Sequence, residues 1–167
     1  MDDRISWHDY FMAHAVLAST RSTCVRRKVG AVAVGNGRTI LATGYNGAPR
    51  NHPHCTKETC LRYVKNIPSG EQLDVCRAIH AEQNVVISAA RNGVSLVGST
   101  IYCTTAPCIT CLKILCNVAV AEVYYMSDYP EKDDHLILNA SEFQGIIIKK
   151  FEPSFELTLL PLNTQAE

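Results

Sequence analysis

Two short stretches of this chain carry residue types that can do chemistry at spacings that let them act together: His80-Ala81-Glu82 and Pro107-Cys108-Ile109-Thr110-Cys111. Cys108 and Cys111 are three apart at the start of a predicted helix, so their sulfurs fall on one face. The partial positive charge of a helix N-terminus lowers thiol pKa and favours the thiolate, the form a metal ion binds. His80 opens another predicted helix. In mid-helix His80 and Glu82 would point to opposite sides, but at the tip both side chains tilt ahead of the helix and converge. If the two tips face each other, His80, Cys108 and Cys111 supply three ligands to a zinc ion and leave the fourth position to water, the pattern of a catalytic site. Zinc lowers the pKa of its water from about 15.7 to roughly 7, and Glu82 stands where a general base would take the proton. A closed structural zinc or a set of buried thiols is the alternative, and it leaves Glu82 without a role beside thiolates.

Those tips depend on the elements around them. Trp7 to Ser19 places Trp7, Tyr10, Phe11, His14, Val16 and Leu17 in a largely helical rhythm, which predicts a first helix. Residues 29–34 and 39–43 read as two strands, and Asn36-Gly37 between them offers two positive-φ positions for a tight hairpin. His80 to Asn92 reads as a helix with Val85, Val86, Ala89 and Ala90 inward, closed by Asn92-Gly93. Thr100 to Thr104 reads as a strand, and Pro107 opens a helix running to about Val118. Glu122 to Met126 and Ile146 to Phe151 read as strands, Asp134 to Phe143 as a helix, and Phe155 to Leu160 as a short edge strand. Strands alternating with helices predict an α/β fold with helices on both faces of one sheet.

At 167 residues the chain suits one domain with a decorated insertion, and it can bury a core without disulfides. Apolar residues at 47% exclude bulk disorder, and 16 basic against 16 acidic residues argue against a strongly basic nucleic-acid binder. With no signal peptide or membrane span in view, the expected setting is cytoplasmic, away from membranes and polymeric nucleic acid. Eight cysteines in a reducing compartment then point to metal ligation or catalysis rather than disulfides.

The pairing of His-x-Glu with Pro-Cys-x-x-Cys resembles the signature of zinc nucleobase deaminases. The resemblance extends along most of the chain through Arg21-Ser-Thr-Cys24, Val29-Gly-Ala-Val32, Gly44-Tyr-Asn-Gly-Ala-Pro49, His54-Cys55, Cys76-Arg77, His80-Ala-Glu-Gln-Asn84 and Met126-Ser-Asp128. In these pieces the chain is similar to deoxycytidylate (dCMP) deaminases of the bacterial competence-operon type, in the cytidine/deoxycytidylate deaminase superfamily. Gly-Tyr-Asn-Gly is the stretch that separates that group from tRNA adenosine deaminases. The resemblance implies a three-layer α/β/α cytidine-deaminase-like sandwich with a central five-stranded mixed sheet. It implies hydrolysis of dCMP to dUMP and ammonia, supplying dUMP for thymidylate synthesis. Carried over by position, Asn46 would meet the sugar hydroxyl and the Ala81 N–H the pyrimidine carbonyl. Thr104 and Thr105 would lie near the departing amino group, and Tyr129 near the base or phosphate. Arg26 and Lys28 are candidates for the phosphate, with a solvated surface face as the alternative for both. Activation by dCTP and inhibition by dTTP, with Asn46 and Gly47 near the effector, and a homo-oligomer, a hexamer before a dimer, are also implied.

Residues 44–75 lack a clean period, and a structureless loop of that length needs something to organise it. Cys55, Cys60 and Cys76 bracket an insertion at about 48–76, and Cys24 ends the first helical region. Four thiolates around a second, structural zinc would tie the insertion down. Some members of the resembled family carry such an ion, and Cys24 and Cys55 match its ligand positions. His54 or His52 replacing one cysteine, and free thiols, stay open. Cys103 and Cys116 read as buried small apolar residues. The chain departs from the family pattern at Val85, at Asn51, where the left-handed geometry of a glycine is tolerated, and at Asn117-Val118-Ala119-Val120. There a capping glycine is missing, so that helix end is expected to close differently. Competing functions are the same chemistry on guanine, a riboflavin precursor or tRNA adenosine, or a non-catalytic nucleotide-sensing zinc protein.

Overall fold

The computed structural model describes residues 4–129 and 145–156. Helix α1, Trp7–Ser19, starts where Ser6 caps it. The Ser6 hydroxyl oxygen accepts from the Asp9 N–H at 3.1 Å, and the Ser6 O–H donates to the Asp9 carboxylate at 2.7 Å. The helix has the expected bounds, and of the residues that set its rhythm Phe11 alone is buried. Phe11, Met12 and Ala15 are buried, while Trp7, Tyr10 and Leu17 are exposed. Apolar residues surround α1 on all sides, so periodicity does not fix its rotation. The close fit of Ala15 and Ser19 over Gly30 does.

Strands β1, Gly30–Gly35, and β2, Thr39–Tyr45, form an antiparallel hairpin with a register shift between Ala33 and Val34. Its turn differs from the two-residue expectation. Asn36 is not in the positive-φ region; Gly37 and Arg38 are, at 77° and 65°. The bulge and a three-residue loop move the left-handed positions one residue on.

Strands β3, Thr100–Thr105, β4, Glu122–Ser127, and β5, Ile147–Lys150, complete a mixed sheet in the order β2-β1-β3-β4-β5. β1 is antiparallel to both neighbours, whereas β3, β4 and β5 run parallel. Alternation along the strands divides the core. Ala31, Ala33, Ile101, Cys103 and Val123 face α3, Ala81–Arg91, and α4, Ile109–Asn117. Val32, Val34 and Tyr102 face α1. This is the five-stranded, helix-flanked architecture expected.

In α3, Val85 and Ala89 are buried and Val86 packs against the core, but Ala90 is exposed. Pro107 lies before the cap residue Cys108 instead of opening α4. The end of α4 corrects a further expectation. Val120 N–H reaches the Leu115 carbonyl and Ala119 N–H the Cys116 carbonyl, the bonding pattern of a glycine-capped helix, with Ala119 held at φ 57°. Asn51 takes φ 65°, as expected.

Between β2 and α3 the regular structure is α2, Leu61–Val64, and a 3₁₀ turn, Leu73–Val75. The expected helix over 134–143 lies outside the described residues. Phe155 and Glu156 are irregular rather than a strand, and 157–160 lie outside the described residues. Among the described residues no helix is long and apolar enough to cross a membrane.

Candidate active site

Two helix tips meet over the sheet. His80 caps α3, and its N–H donates to the Gln83 side chain at 2.9 Å, half of a capping box. Cys108 caps α4 from the end of β3, and its carbonyl accepts the Leu112 N–H at 3.0 Å. Local backbone groups thus fix both caps while the reactive side chains face across the gap. Gly44 on β2 allows α3 to sit this close, because a Cβ there would strike the Ala81 carbonyl oxygen and come within 2.7 Å of the Val85 nitrogen.

His80 Nδ1 lies 3.4 Å from Cys108 Sγ and 3.4 Å from Cys111 Sγ. All three ligand atoms lie within 4.8 Å of one another, the one such His/Cys/Asp/Glu group among the described residues. A tetrahedral zinc with Zn–N of about 2.0–2.1 Å and Zn–S of about 2.3 Å separates nitrogen from sulfur by roughly 3.5 Å. The donor set therefore fits that ion without rearrangement.

The electrostatics suit a cation. A hydrogen bond from Cys111 lowers the Cys108 thiol to about 4, against burial and with help from His80. The same bond, with burial, holds Cys111 up as the protonated member of the pair. His80 is raised by its hydrogen bond to Cys108, which outweighs burial. Glu82, in the first turn of α3, is buried and pushed up to about 7 by desolvation, opposed by its own backbone N–H and by His80. A carboxyl with a pKa near neutrality can both take and return a proton. Cys103 on β3 is a neutral buried thiol, raised by desolvation and by the facing Glu82. Cys103 is fully buried, as expected, whereas Cys116, expected to be buried, is only half-buried against the core.

A cleft opens beside this group. Asn46, Ala81, Thr105, Tyr129 and Arg26 from the sequence-based set line it. Thr104 does not; its hydroxyl oxygen accepts the Gly30 N–H at 3.1 Å, so it holds the β1–β3 edge instead. Asn46 is heavily engaged: its side-chain oxygen accepts from Val29 N–H at 2.8 Å and Ser22 Oγ at 2.6 Å, and its amide donates to the Arg27 carbonyl at 2.9 Å. One amide N–H is left for a ligand. Gly47 lies in a neighbouring groove with Arg50, His52, His54 and Arg91. Lys28 is exposed and outside the cleft.

Cys24, Cys55, Cys60 and Cys76 line the same cleft, and the other three act electrostatically on Cys55, whose thiol is raised chiefly by burial. Their sulfurs do not close to ligand distance as a group. Sequence reasoning missed Arg27 and Arg62, both in the cleft wall. Arg27 is signalled by its neighbour Arg26, and its guanidinium lies 6.0 Å from the Tyr129 ring centroid. Arg62, in a segment without a period, has no sequence signal.

Residues 5–127 match the family model described as the cytidine and deoxycytidylate deaminase zinc-binding region. The chain is 38% identical over 152 residues to the deoxycytidylate deaminase of Schizosaccharomyces pombe, covering 90% of this chain and 45% of that protein. It is 42% identical over 128 residues to ComE operon protein 2 of Bacillus subtilis, covering 76% and 62%. The chain thus spans less than two thirds of the length of either relative. Among solved structures, the dCMP deaminase of cyanophage S-TIM5 in complex with dCMP and dUMP matches with a TM-score of 0.66 and 34% identity, covering 86% of this chain and 95% of that one.

Proposed function

The chain belongs to the cytidine and deoxycytidylate deaminase zinc-binding family, and from that premise we propose that it is a zinc-dependent hydrolase converting dCMP to dUMP and ammonia. The observation that carries the proposal is a buried Glu82 set beside His80, Cys108 and Cys111 at ligand spacing, facing an open cleft. A non-catalytic zinc protein has no use for a buried carboxyl at that place. The S-TIM5 relative, bound to dCMP and dUMP, supports the choice of substrate and product.

His80 Nδ1 and the sulfurs of Cys108 and Cys111 would hold the zinc ion. When bound, zinc supplies the Lewis acidity that makes hydroxide available at neutral pH. Glu82 takes a proton from the attacking water and passes it to N3 as the oxygen bonds to C4 of the cytosine, then carries the second proton, from the new C4 hydroxyl, to the amino nitrogen, so that the C4–N bond breaks, ammonia leaves and the C4 carbonyl of dUMP forms. The Ala81 N–H, in the first turn of α3 and so without an intrahelical acceptor, holds the pyrimidine carbonyl. Thr105 lies against the departing amino group, Tyr129 flanks the base, and the remaining Asn46 N–H meets the sugar hydroxyl.

The same proposal takes the chain as one domain with an insertion at about 48–76, tied down by a second, structural zinc. The gathering of Cys24, Cys60 and Cys76 around Cys55 supports that ion. It takes the enzyme as a cytoplasmic homo-oligomer, a hexamer by preference, supported by the exposed Trp7, Tyr10 and Leu17 on α1. It includes dCTP and dTTP as effectors, supported by the cationic groove beside Gly47.

The test follows the cytosine ultraviolet band and released ammonia on adding dCMP to zinc-loaded protein, with and without dCTP, alongside Glu82→Gln. Turnover by the native protein that vanishes in the variant supports the proposal. No turnover from native protein with zinc in place overturns it. Metal analysis expects two zinc ions per chain, falling to one in a Cys55→Ser/Cys76→Ser double variant.

A further inference from the structure

We infer that Ser22 is a positioning residue that sets substrate choice: its hydroxyl fixes the Asn46 side-chain amide so that the cleft offers one N–H and no acceptor at that point, and so demands a free sugar hydroxyl on its nucleotide. This rests on the proposal that the cleft takes a cytosine nucleotide with Asn46 against the sugar, and it names the residue that holds Asn46 there.

Two backbone groups dictate which way the amide faces. The Val29 N–H, 2.8 Å from Asn46 Oδ1, can only donate, and the Arg27 carbonyl, 2.9 Å from Asn46 Nδ2, can only accept. The Asn46 backbone N–H also donates to the Val29 carbonyl, at 3.1 Å. All three bonds run to one short stretch, residues 27–29, so they tie Asn46 to that stretch from one direction.

Ser22 supplies the bond from another direction. It lies just past the end of α1, whereas Asn46 directly follows β2. The Ser22 O–H donates to Asn46 Oδ1 at 2.6 Å, with the Asn46 carbonyl oxygen also within reach at 2.9 Å. The Cys24 N–H donates to Ser22 Oγ at 3.2 Å. That bond occupies a lone pair of the hydroxyl and leaves its single proton for Asn46. No other side chain among the described residues bonds to Asn46.

The result is an amide with one function left. Both lone pairs of Oδ1 are filled, and one of the two N–H groups on Nδ2 is used. Asn46 is 8% exposed and lines the cleft, so the remaining N–H is a largely buried donor that needs an acceptor. A ligand without an acceptor there leaves it unpaired, which is costly. Sites built to bond a substrate hydroxyl reject the analogue that lacks it. In a 2′-deoxynucleotide with its phosphate on the 5′ oxygen, the one free sugar hydroxyl is at C3′. Ser22 does not line the cleft, so its influence on substrate runs through Asn46.

The experiment measures kcat and KM for dCMP and for 2′,3′-dideoxycytidine 5′-monophosphate with native enzyme, Ser22→Ala and Ser22→Thr, all zinc-loaded. Native enzyme is expected to favour dCMP in kcat/KM on the order of 100-fold, the cost of one unpaired buried donor. Ser22→Ala is expected to reduce that preference about 10-fold, chiefly by raising the KM for dCMP. Ser22→Thr keeps the hydroxyl and is expected to restore the preference. If Ser22→Ala does not fold, Ser22→Cys, with its weak S–H donor, carries the same comparison. Both substrates falling equally, or a preference within about 2-fold of native in the alanine or cysteine variant, overturns the role of Ser22 and leaves the deaminase assignment intact. Equal use of the two substrates by native enzyme overturns it as well. A native, zinc-loaded protein that does not turn over dCMP overturns the deaminase assignment, and this inference with it.

Discussion

Replacing Gly44 by alanine tests whether the approach of α3 to β2 sets the chemistry. The added Cβ would strike the Ala81 carbonyl oxygen and come within 2.7 Å of the Val85 nitrogen, where ordinary contact begins at 3.4 Å. Both obstacles are backbone atoms, so no rotamer change relieves them. The first turn of α3 must retreat by about 1 Å, and Ala81 lies between the ligand His80 and the base Glu82. A displacement of that size at reacting groups costs about 100-fold in rate, and overpacking of this kind costs about 1–3 kcal/mol in stability. Gly44→Ala is therefore expected to lose about 100-fold in kcat for dCMP and to unfold at lower urea, with weaker zinc retention because His80 moves too. The assay is steady-state turnover at a temperature where circular dichroism shows the variant folded, together with zinc release to a chromogenic chelator. A variant with native kcat and native zinc retention refutes the idea that this contact positions the site.

Three further outcomes follow from the same structure. Glu82→Gln removes the proton carrier but keeps shape, so turnover should fall by about 1,000-fold while zinc content by mass spectrometry stays at the native value; a metal-free variant would instead make Glu82 a structural requirement. Ala119→Gly relieves a left-handed alanine at the end of α4 and should stabilise the fold by about 0.5–1 kcal/mol after the entropy of glycine is set against it, read as a higher urea midpoint with unchanged slope. Asp9 is pushed up by burial, but hydrogen bonds from Ser154 and Ser6, with His8 nearby, more than reverse this and hold it below its ordinary value of 3.8. Its folded pKa is thus depressed, so its contribution is present above the ordinary value and lost as pH falls through the folded one. Native protein should exceed Asp9→Asn by about 1–2 kcal/mol at neutral pH, and the gap should close below about pH 4.

The aromatic side chains of α1 illustrate what periodicity withholds. Trp7, Tyr10 and Leu17 satisfy a helical rhythm as well as Phe11, Met12 and Ala15 do, yet only the second set is buried. Rotation about the helix axis is decided by where the backbone can approach the sheet, which is at Gly30. The hairpin turn is a similar case. Asn36-Gly37 marks its place, but a bulge two residues earlier shifts which residues take positive φ.

By itself the sequence determined the elements and the reactive set. A histidine and a carboxylate at one helix tip, and two cysteines three apart at another, are local patterns whose geometry within each tip is fixed by the helix itself, so each half of the set was legible in the sequence, whereas the meeting of the two tips is a tertiary contact. The strands were legible too, but the division of Ala31, Ala33 and Ile101 from Val32, Val34 and Tyr102 between two helix-covered faces comes from the packing. Only the tertiary structure decided what completes the site. Arg62 becomes a cleft residue because the segment between β2 and α3 returns to the cleft wall, and no periodicity encodes such a return. Thr104 and Thr105 are adjacent in sequence, yet the strand pleat sends one to the Gly30 N–H and the other to the cleft. Local chemistry is written in short spacings; charge compensation and pocket walls depend on residues brought together from distant parts of the chain.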